Sequence, residues 1–485
     1  MPTPPRLFRP IPLASASLFT LMLAACGGGG SSGDTSSASS SATSSSQNSS
    51  RSSVSSSTSS RSASSISSSS ASSSSATSST SAGSSSSAGN NSCGDLASRI
   101  VSTQPGLPSL SAISDEYTPV ALAPHGSNGS LIAWKEKSAT QIRVGRLAGD
   151  DKQFTSLLTL PGDEVHSMVG HGDGGALLRV ANDPDIYSSK YCKSDATPNN
   201  AACQKMDLVR FDGSGNLLFT TTLTDKANVD SVGALFIWWY GHTGRLGWDG
   251  TRYAAYFRSA TSTARPNEAG EIDIHAGDTL RMVDANGNRL ATGGWQWGCS
   301  HSWSVRLAHN SSGWAALCHG DAFPNAMRMR LLGNTGVTSK TWEWLSGSAP
   351  AQRALGGVVA DSDGYWLTYL ETSGSLRLRL AKVSNTGSVI SDQIVPGATG
   401  IDASYPFRAW LGRNGNQLVL GWKSGGKLML QAADASNGAL IGSPASSNAS
   451  ISNYDEFTTL ANGDLLFAHA PASGTVTLTR VKACQ

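Results

Sequence analysis

The chain has 485 residues, and 36 basic side chains nearly balance 34 acidic ones, which leaves a net charge of +2 at neutral pH. This balance argues against a nucleic-acid-binding surface and against a polybasic contact with a membrane. The sequence also has no phosphate-binding loop, no dinucleotide fingerprint, no serine nucleophile elbow and no recognisable pair of catalytic carboxylates.

Residues 1–25 have the pattern of a secretory signal peptide. Arg6 and Arg9 precede an apolar run too short to span a bilayer, and the run ends in the letters LAAC at Cys26. This ending resembles the lipobox of bacterial lipoprotein precursors, which implies that the Cys26 thiol carries the lipid. Because Gly27 rather than aspartate follows, the resemblance implies an outer-membrane anchor facing the periplasm or the exterior. An ordinary secretory signal with a chance cysteine is the alternative.

Residues 26–92 follow as a linker made mostly of serine, with alanine, threonine and glycine. Such a composition cannot bury enough apolar surface to offset the entropy of ordering the chain. The sequence therefore predicts a disordered tether, with one folded module over residues 93–485.

The folded module repeats one unit of short apolar strands separated by Gly, Asn and Asp turns. Residues 358–395 show it plainly, with four strands and turns at DG, SG and NTG. The plan recurs from about residues 121, 168, 244, 304, 409 and 457, and the last copy is short by its outermost strand. This pattern predicts an all-β fold, a seven-bladed β-propeller with four-stranded blades. Two packed β-sandwiches are the alternative.

Closure of the ring requires a strand from elsewhere in the chain. Residues 110–113 are expected to complete the last blade, and a disulfide between Cys93 and Cys484 would link the two ends of the module covalently. Six cysteines remain once Cys26 is set aside, and an even number in an oxidising compartment favours disulfides. Cys192 and Cys203 flank a polar stretch and are the second expected pair.

Histidines, tryptophans and long insertions converge on one face of blades 2 to 4. We call this the top face, where the innermost strand of each blade begins and where loops most often carry function. The insertions are residues 182–204 and 260–277. His166, His242 and His301 begin innermost strands, and the other top-face residues in these blades are His275, His319, Trp238, Trp239, Tyr240, Trp295 and Trp297. His125, His171 and His309 are interpreted as residues of the opposite turns.

The stretch around Cys299 allows three interpretations. Cys299 and His301 are two apart on a strand, so their side chains share a face. A hairpin turn at 310–313 is expected to bring His319 close to His301 and to place Cys318 opposite Ser304, a poor register for a Cys299–Cys318 disulfide. Thiolate and imidazole groups together are typical zinc ligands. The first interpretation is a zinc site made of His275, Cys299, His301 and His319; that disulfide and plain packing remain open.

Three stretches carry a resemblance to a known family. These are GHTGRLGWDGTRYAAYFR from Gly241, HAGD at His275 and GWQWGCSHS from Gly294. They are similar to the seven-bladed propeller polysaccharide lyases that act on ulvan, mainly over blades 3 and 4. The resemblance implies a zinc ion held by histidines and a cysteine, and β-elimination by a histidine and a tyrosine beside an arginine.

The chemistry of β-elimination can be compared with the residues directly. A uronate substrate needs a group to neutralise its carboxylate, a base for the C5 proton and an acid for the departing O4. Arginine suits the first task because its planar fork matches a carboxylate. The candidate catalytic residues are Tyr240, His242, His166 and Arg258.

A binding module without catalysis is the competing interpretation. In that case Trp238, Trp239, Trp295 and Trp297 would form a stacking platform for the sugar rings of a polysaccharide or glycan, or a surface for a protein partner. Under either interpretation we expect a monomer that contacts the membrane only through its N-terminal lipid. Tryptophans that merely fill the wedge between blades are a third interpretation, since a propeller fold alone does not choose a function.

Overall fold

The computed structural model of the chain describes most of the folded module. The chain divides into two units, Met1–Ser84 and Ser85–Gln485, and all described residues belong to the second. They are residues 93–107, 120–136, 139–182, 204–225, 235–237, 243–266, 272–295, 299, 304–320, 327–334, 338–344, 354–372, 376–402, 408–452, 454–471 and 475–484.

The described residues form 28 strands in seven four-stranded sheets, with one short 3-10 helix, Leu96–Arg99. Blade 1 contains β2 (Val120–His125), β3 (Gly129–Lys135), β4 (Gln141–Leu147) and β5 (Phe154–Pro161). Blade 2 contains β6 (Glu164–His171), β7 (Gly174–Asn182), β8 (Gln204–Asp212) and β9 (Leu217–Thr222). Blade 3 contains β10 (Leu235–Phe236), β11 (Gly244–Trp248), β12 (Arg252–Pro266) and β13 (Ile272–Asp284).

The remaining blades keep the same plan. Blade 4 contains β14 (Ser304–Asn310), β15 (Gly313–His319), β16 (Met327–Gly333) and β17 (Thr338–Trp344). Blade 5 contains β18 (Ala354–Asp361), β19 (Gly364–Thr372), β20 (Leu376–Ser384) and β21 (Val389–Ile394). Blade 6 contains β22 (Ala409–Asn414), β23 (Gln417–Ser424), β24 (Lys427–Asp434) and β25 (Leu440–Ser447), and blade 7 contains β1 (Ile100–Thr103), β26 (Thr458–Thr459), β27 (Leu465–His469) and β28 (Thr477–Val481).

The blades close into a ring around a central channel. The innermost strands contact one another in the order β2, β6, β11, β14, β18, β22, β26 and back to β2. Seven clusters of buried apolar side chains hold this ring together, one at each interface between neighbouring blades. Apolar side chains on both faces of each sheet are thus removed from water, the dominant stabilising effect in folding. The predicted seven-bladed β-propeller is confirmed.

The strand that completes blade 7 and closes the ring is not the expected one. β1 (Ile100–Thr103) pairs antiparallel with β28, with Ile100 opposite Val481, and so completes blade 7. Residues 110–113, which were expected there, lie outside the described residues. The short helix before β1 buries Leu96 in the core between blades 6 and 7, which brings the chain to the blade edge before residue 104. The expected Cys93–Cys484 disulfide is present, with the two Cα atoms 5.3 Å apart.

Blade 3 departs most from the common plan. Gly244, the first residue of β11, lies opposite Phe257, yet β12 continues to Pro266 and stays paired with β13. The insertion at residues 260–277 is therefore largely a hairpin that extends beyond the top face rather than a loop. His275 lies in β13 opposite Thr261, which corrects its predicted place in a loop.

The histidines predicted at turns lie at the ends of innermost strands opposite the top face, and His171 makes a specific contact there. The Tyr253 hydroxyl and His171 Nε2 are hydrogen-bonded at 2.9 Å, and the centroid of the Trp248 ring lies 5.0 Å from that of the imidazole. Burial first, and the nearby Arg210 second, lower the pKa of His171 to about 4.

We expect this histidine to make stability depend on pH. An unfolded histidine has a pKa of about 6.5. On acidification, His171 is therefore protonated at a higher pH in the unfolded chain than in the folded one. Its contribution is complete above about pH 6.5 and is lost as the pH falls towards about 4. Urea unfolding at several pH values should show a shallower acid decline for His171→Asn than for the wild type. Equal slopes for the two proteins would contradict this assignment.

Candidate functional site

Three arginines converge on the channel where the innermost strands begin. Arg245 is the second residue of β11, Arg306 the third of β14, and Arg408 directly precedes β22. All three are nearly buried, at 3%, 1% and 7% exposure. Corresponding positions of different blades lie around one axis, so an arginine near the start of an innermost strand reaches the same end of the channel from each blade. We call these three residues the axial arginine cluster.

Blade 7 supplies the acidic partner of the cluster. Glu456 lies just before β26, and its Oε2 and Oε1 atoms pair with Arg245 Nε at 2.6 Å and Arg306 Nε at 3.0 Å. Both Nη atoms of Arg245 have their own acceptors. Arg245 donates to the carbonyl oxygens of Gly244 at 2.8 Å and Tyr454 at 2.6 Å. One carboxylate thus joins arginines from two blades while the backbone holds Arg245 independently.

Arg306 is held in a similar way. It donates to Ser304 Oγ and to the Val305 carbonyl oxygen, each at 2.8 Å. The guanidinium carbon of Arg408 lies 4.8 Å from the centroid of the Tyr454 ring, a cation–π distance. The cluster is therefore held by backbone, hydroxyl and aromatic contacts as well as by the two ion pairs of Glu456.

Positive charge dominates this region. The pKa of Arg306 is lowered to about 9, chiefly by burial and then by the nearby Arg245 and Arg408, while Glu456 opposes this shift. Burial also raises the pKa of Asp455 well above its usual range, which favours the uncharged acid. Within the described part of the chain, Glu456 is the carboxylate that pairs with both Arg245 and Arg306. Because buried charges are stable only when paired, such a site favours an anion.

A small cavity of about 50 Å³ lies beside the cluster. Its wall includes Arg245, Asp455, Glu456 and His166, together with apolar residues of β2. The cavity therefore offers space next to the buried guanidinium group of Arg245.

His166 is the one predicted catalytic residue in this wall. It is the extra residue of a β-bulge, because Val165 pairs with Arg179 while Ser167 pairs with Leu178. Bulges commonly redirect a side chain near functional sites. His166 is 2% exposed, and its Nε2 lies 2.8 Å from Glu164 Oε2. Gly244 permits the close approach of β11, since a Cβ there would lie 3.3 Å from His166 Nδ1.

The other predicted catalytic residues are distributed differently. Arg258 is buried on β12 opposite Asp278 and is not among the described residues that line the cavity. Tyr240 and His242 lie outside the described residues, as do Trp238, Trp239 and Trp297.

Trp295 is packed between blades 3 and 4. Its Nε1 donates to Asp278 at 3.3 Å, the Tyr256 ring meets it edge-on at 5.6 Å, and the Arg330 guanidinium lies 4.7 Å from the ring centroid. These contacts are those of a residue that fills the wedge between two blades.

The structure selects the disulfide among the three interpretations of the Cys299 stretch. Cys299 is bonded to Cys318, with the Cα atoms 6.0 Å apart. The predicted register was wrong by one residue, because Cys318 lies opposite Val305 and His319 opposite Ser304. Cys299 N also donates to the buried Asp278 carboxylate at 2.6 Å, which ties the link between blades to β13, while the disulfide ties it to β15.

The donor set for zinc is consequently incomplete. Zinc binds thiolates, and the sulfur of a disulfide carries no such charge. Asp278, Cys299 and Cys318 place potential ligand atoms within 4.8 Å of one another, the one such group found in the described part of the chain. Of the other predicted ligands, His319 ends β15, the side chain of His275 is not described, and His301 lies outside the described residues. The predicted lipidation site Cys26 and the predicted disulfide partners Cys192 and Cys203 also lie outside the described residues.

These features define a seven-bladed β-propeller with a positively charged site at one end of its channel. No protein-family model and no curated protein matches the chain. Among solved structures it is similar to the Dos1 propeller, at 11% identity and a TM-score of 0.40 over 73% of this chain and 76% of that one. A fucose-specific lectin from Aleuria aurantia gives 13% identity and a TM-score of 0.35 over 70% and 97%.

A third similar structure is the PQQ-bound aldose sugar dehydrogenase from Streptomyces coelicolor, at 10% identity and a TM-score of 0.32 over 79% of this chain and 98% of that one. The assignment of the fold rests on the strand order rather than on these scores. Among the described residues, no helix has the length and apolar character needed to cross a bilayer.

Proposed function

We propose that the propeller binds a polysaccharide that carries carboxylate groups, through the axial arginine cluster on its top face. The observation that supports this most directly is that Arg245 and Arg306, from two blades, already hold one carboxylate that is 35% exposed. Guanidinium groups match carboxylates in shape and charge. The neighbouring cavity, lined by Arg245 and Glu456, offers space beside this pair.

Retention on charged polysaccharides tests this proposal. In affinity gels, polygalacturonate should retard the module, dextran should not, and added salt should weaken the retardation because charge pairing is screened. Dextran sulfate serves as the control for charge without a carboxylate. Equal migration in all gels would contradict the proposal.

Polysaccharide lyase activity is a second candidate function, favoured by His166 beside Arg245 in the cavity wall. In β-elimination a base removes the C5 proton, the electron pair forms the C4–C5 double bond, and the C4–O4 bond breaks as O4 is protonated. An arginine beside the carboxylate stabilises the charge that develops. Tyr240, His242 and Arg258 remain predicted participants, and no step is assigned to zinc because its cysteine ligand is bonded to another cysteine.

The lyase reaction has its own readout. Incubation with polygalacturonate or alginate should raise the ultraviolet absorbance of unsaturated uronate, and His166→Gln should lower the rate by at least about a hundredfold, the usual contribution of a positioned acid or base. Binding without any rise in absorbance would leave the non-catalytic binding module as the function.

We also propose that lipid on Cys26 anchors the protein to the outer membrane through the serine-rich tether. Cys26→Ser should move the protein from the membrane fraction to the soluble fraction without changing the thermal unfolding of the propeller. Fractionation of cells that express each form measures this. Membrane association that survives the substitution would disprove lipid anchoring at this cysteine.

A further inference from the structure

Glu456 occupies the position that an acidic ligand would take. Its two carboxylate oxygens bridge Arg245 and Arg306 at 2.6 and 3.0 Å, one oxygen to each arginine. Glu456 thus places a carboxylate between the two cations that a ligand carboxylate would approach, although neither Nε–H is aligned for a hydrogen bond to it. No other side chain among the described residues is paired with both arginines.

The arginines do not depend on Glu456 for their positions. Arg245 is also bonded to two backbone carbonyl oxygens, and Arg306 to a carbonyl oxygen and a hydroxyl. These bonds lie within β11 and β14 or reach the Tyr454 carbonyl, so they persist if the Glu456 side chain moves. The donors are therefore organised in advance for an incoming carboxylate, which lowers the cost of binding it.

Glu456 itself has the freedom to leave. Its side chain is 35% exposed, whereas Arg245 and Arg306 are 4% and 1% exposed. The cavity of about 50 Å³ on which Glu456 borders offers space beside its present position. The mobile member of the ion pair is thus the carboxylate, and the buried members are the cations.

We propose that Glu456 is an internal substitute for the ligand carboxylate, which neutralises the axial arginine cluster in the free protein and is displaced when an acidic sugar binds. This proposal rests on the function proposed above, because it takes the ligand to be a uronate. Glu456 then sets a threshold: a neutral sugar cannot displace it, and a uronate must outcompete it. It is a specificity residue of the same site.

Titration calorimetry with D-galacturonate and with polygalacturonate tests the proposal on the purified propeller. If Glu456 occupies the site about ten times as often as it leaves it free, Glu456→Gln should bind galacturonate roughly tenfold more tightly, because an occupied site lowers the apparent affinity in that proportion. The matched control is Glu371→Gln, which removes a partly buried carboxylate paired with Arg379 on blade 5. Its affinity should equal that of the wild type.

Unchanged or weaker binding by a folded Glu456→Gln variant would show that Glu456 only supports the arginines, and would overturn the proposal. If that variant does not fold, a crystal of the wild type soaked with galacturonate decides instead. The proposal requires the sugar carboxylate to lie between Arg245 and Arg306 with Glu456 turned away, and it fails if Glu456 keeps both contacts. A wild type and a folded Glu456→Gln variant that both fail to bind any uronate would count against the proposed function itself.

Discussion

Removal of the Cys93–Cys484 bond should lower the free energy of unfolding by roughly 5 kcal/mol, because the bond closes a loop with a sequence separation of 391 residues and the entropy it removes from the unfolded chain grows with loop length. The double variant Cys93→Ala/Cys484→Ala removes this bond. β1 is the outermost strand of its blade and pairs with β28, and besides the bond it is held by the buried Leu96 and by the hydrogen bond from Arg99 Nη1 to Asn414 Oδ1 at 2.9 Å. Denaturant unfolding followed by tryptophan fluorescence measures the loss.

Val101→Ala is the matched control for that variant, since Val101 lies on β1, is 41% exposed and leaves the bond intact. It should cost less than about 1 kcal/mol, as surface substitutions usually do. A double variant as stable as the control would mean that strand pairing alone closes the ring.

Arg306→Met should weaken binding of polygalacturonate by about a hundredfold, since charge-assisted contacts to a carboxylate are among the strongest polar contacts and a hundredfold corresponds to about 2.7 kcal/mol. The fold should survive because methionine fills a similar buried volume and Glu456, 35% exposed, can be hydrated when it loses one partner. Affinity electrophoresis against immobilised polygalacturonate provides the measurement.

Arg413→Met provides the comparison for this substitution. Arg413 also lies on an innermost strand, β22, but it pairs with Asp361 at 3.2 Å, at the opposite end of the channel from the top face. Its retention should match that of the wild type. If both variants lose binding equally, the attraction is a general effect of positive charge and the axial arginine cluster is not a specific site.

The repeat pattern predicted the propeller because the residues that specify each blade are close together in the sequence. Alternating apolar residues and turns such as the one before Gly313 specify hairpins without reference to the rest of the chain. The register of β14 and β15 was harder, since Ser311 and Ser312 form the tight turn between Asn310 and Gly313. An error of one residue there places Cys318 opposite Ser304 instead of Val305. That error made a disulfide look less favourable than a thiolate ligand.

The axial arginine cluster was not found from the sequence because its members are far apart in the chain. Arg245, Arg306 and Arg408 each appear as a single charge at the edge of an apolar strand, a common place for a solvated residue. Only alignment of the blades shows that Arg245 and Arg306 share one position and that Arg408 lies two residues earlier at the start of its blade, and that comparison is the signal that was missed. His166 was found from the same comparison of strand starts, although its bulge was not.

The bond between Cys93 and Cys484 also makes the propeller a covalent circle. The backbone runs once around the ring from one cysteine to the other, and the disulfide joins the two ends of that path. A protease that cuts any one exposed loop between them therefore releases no fragment, because the pieces remain joined through the bond. A second cut or a reductant is needed before a blade can be lost.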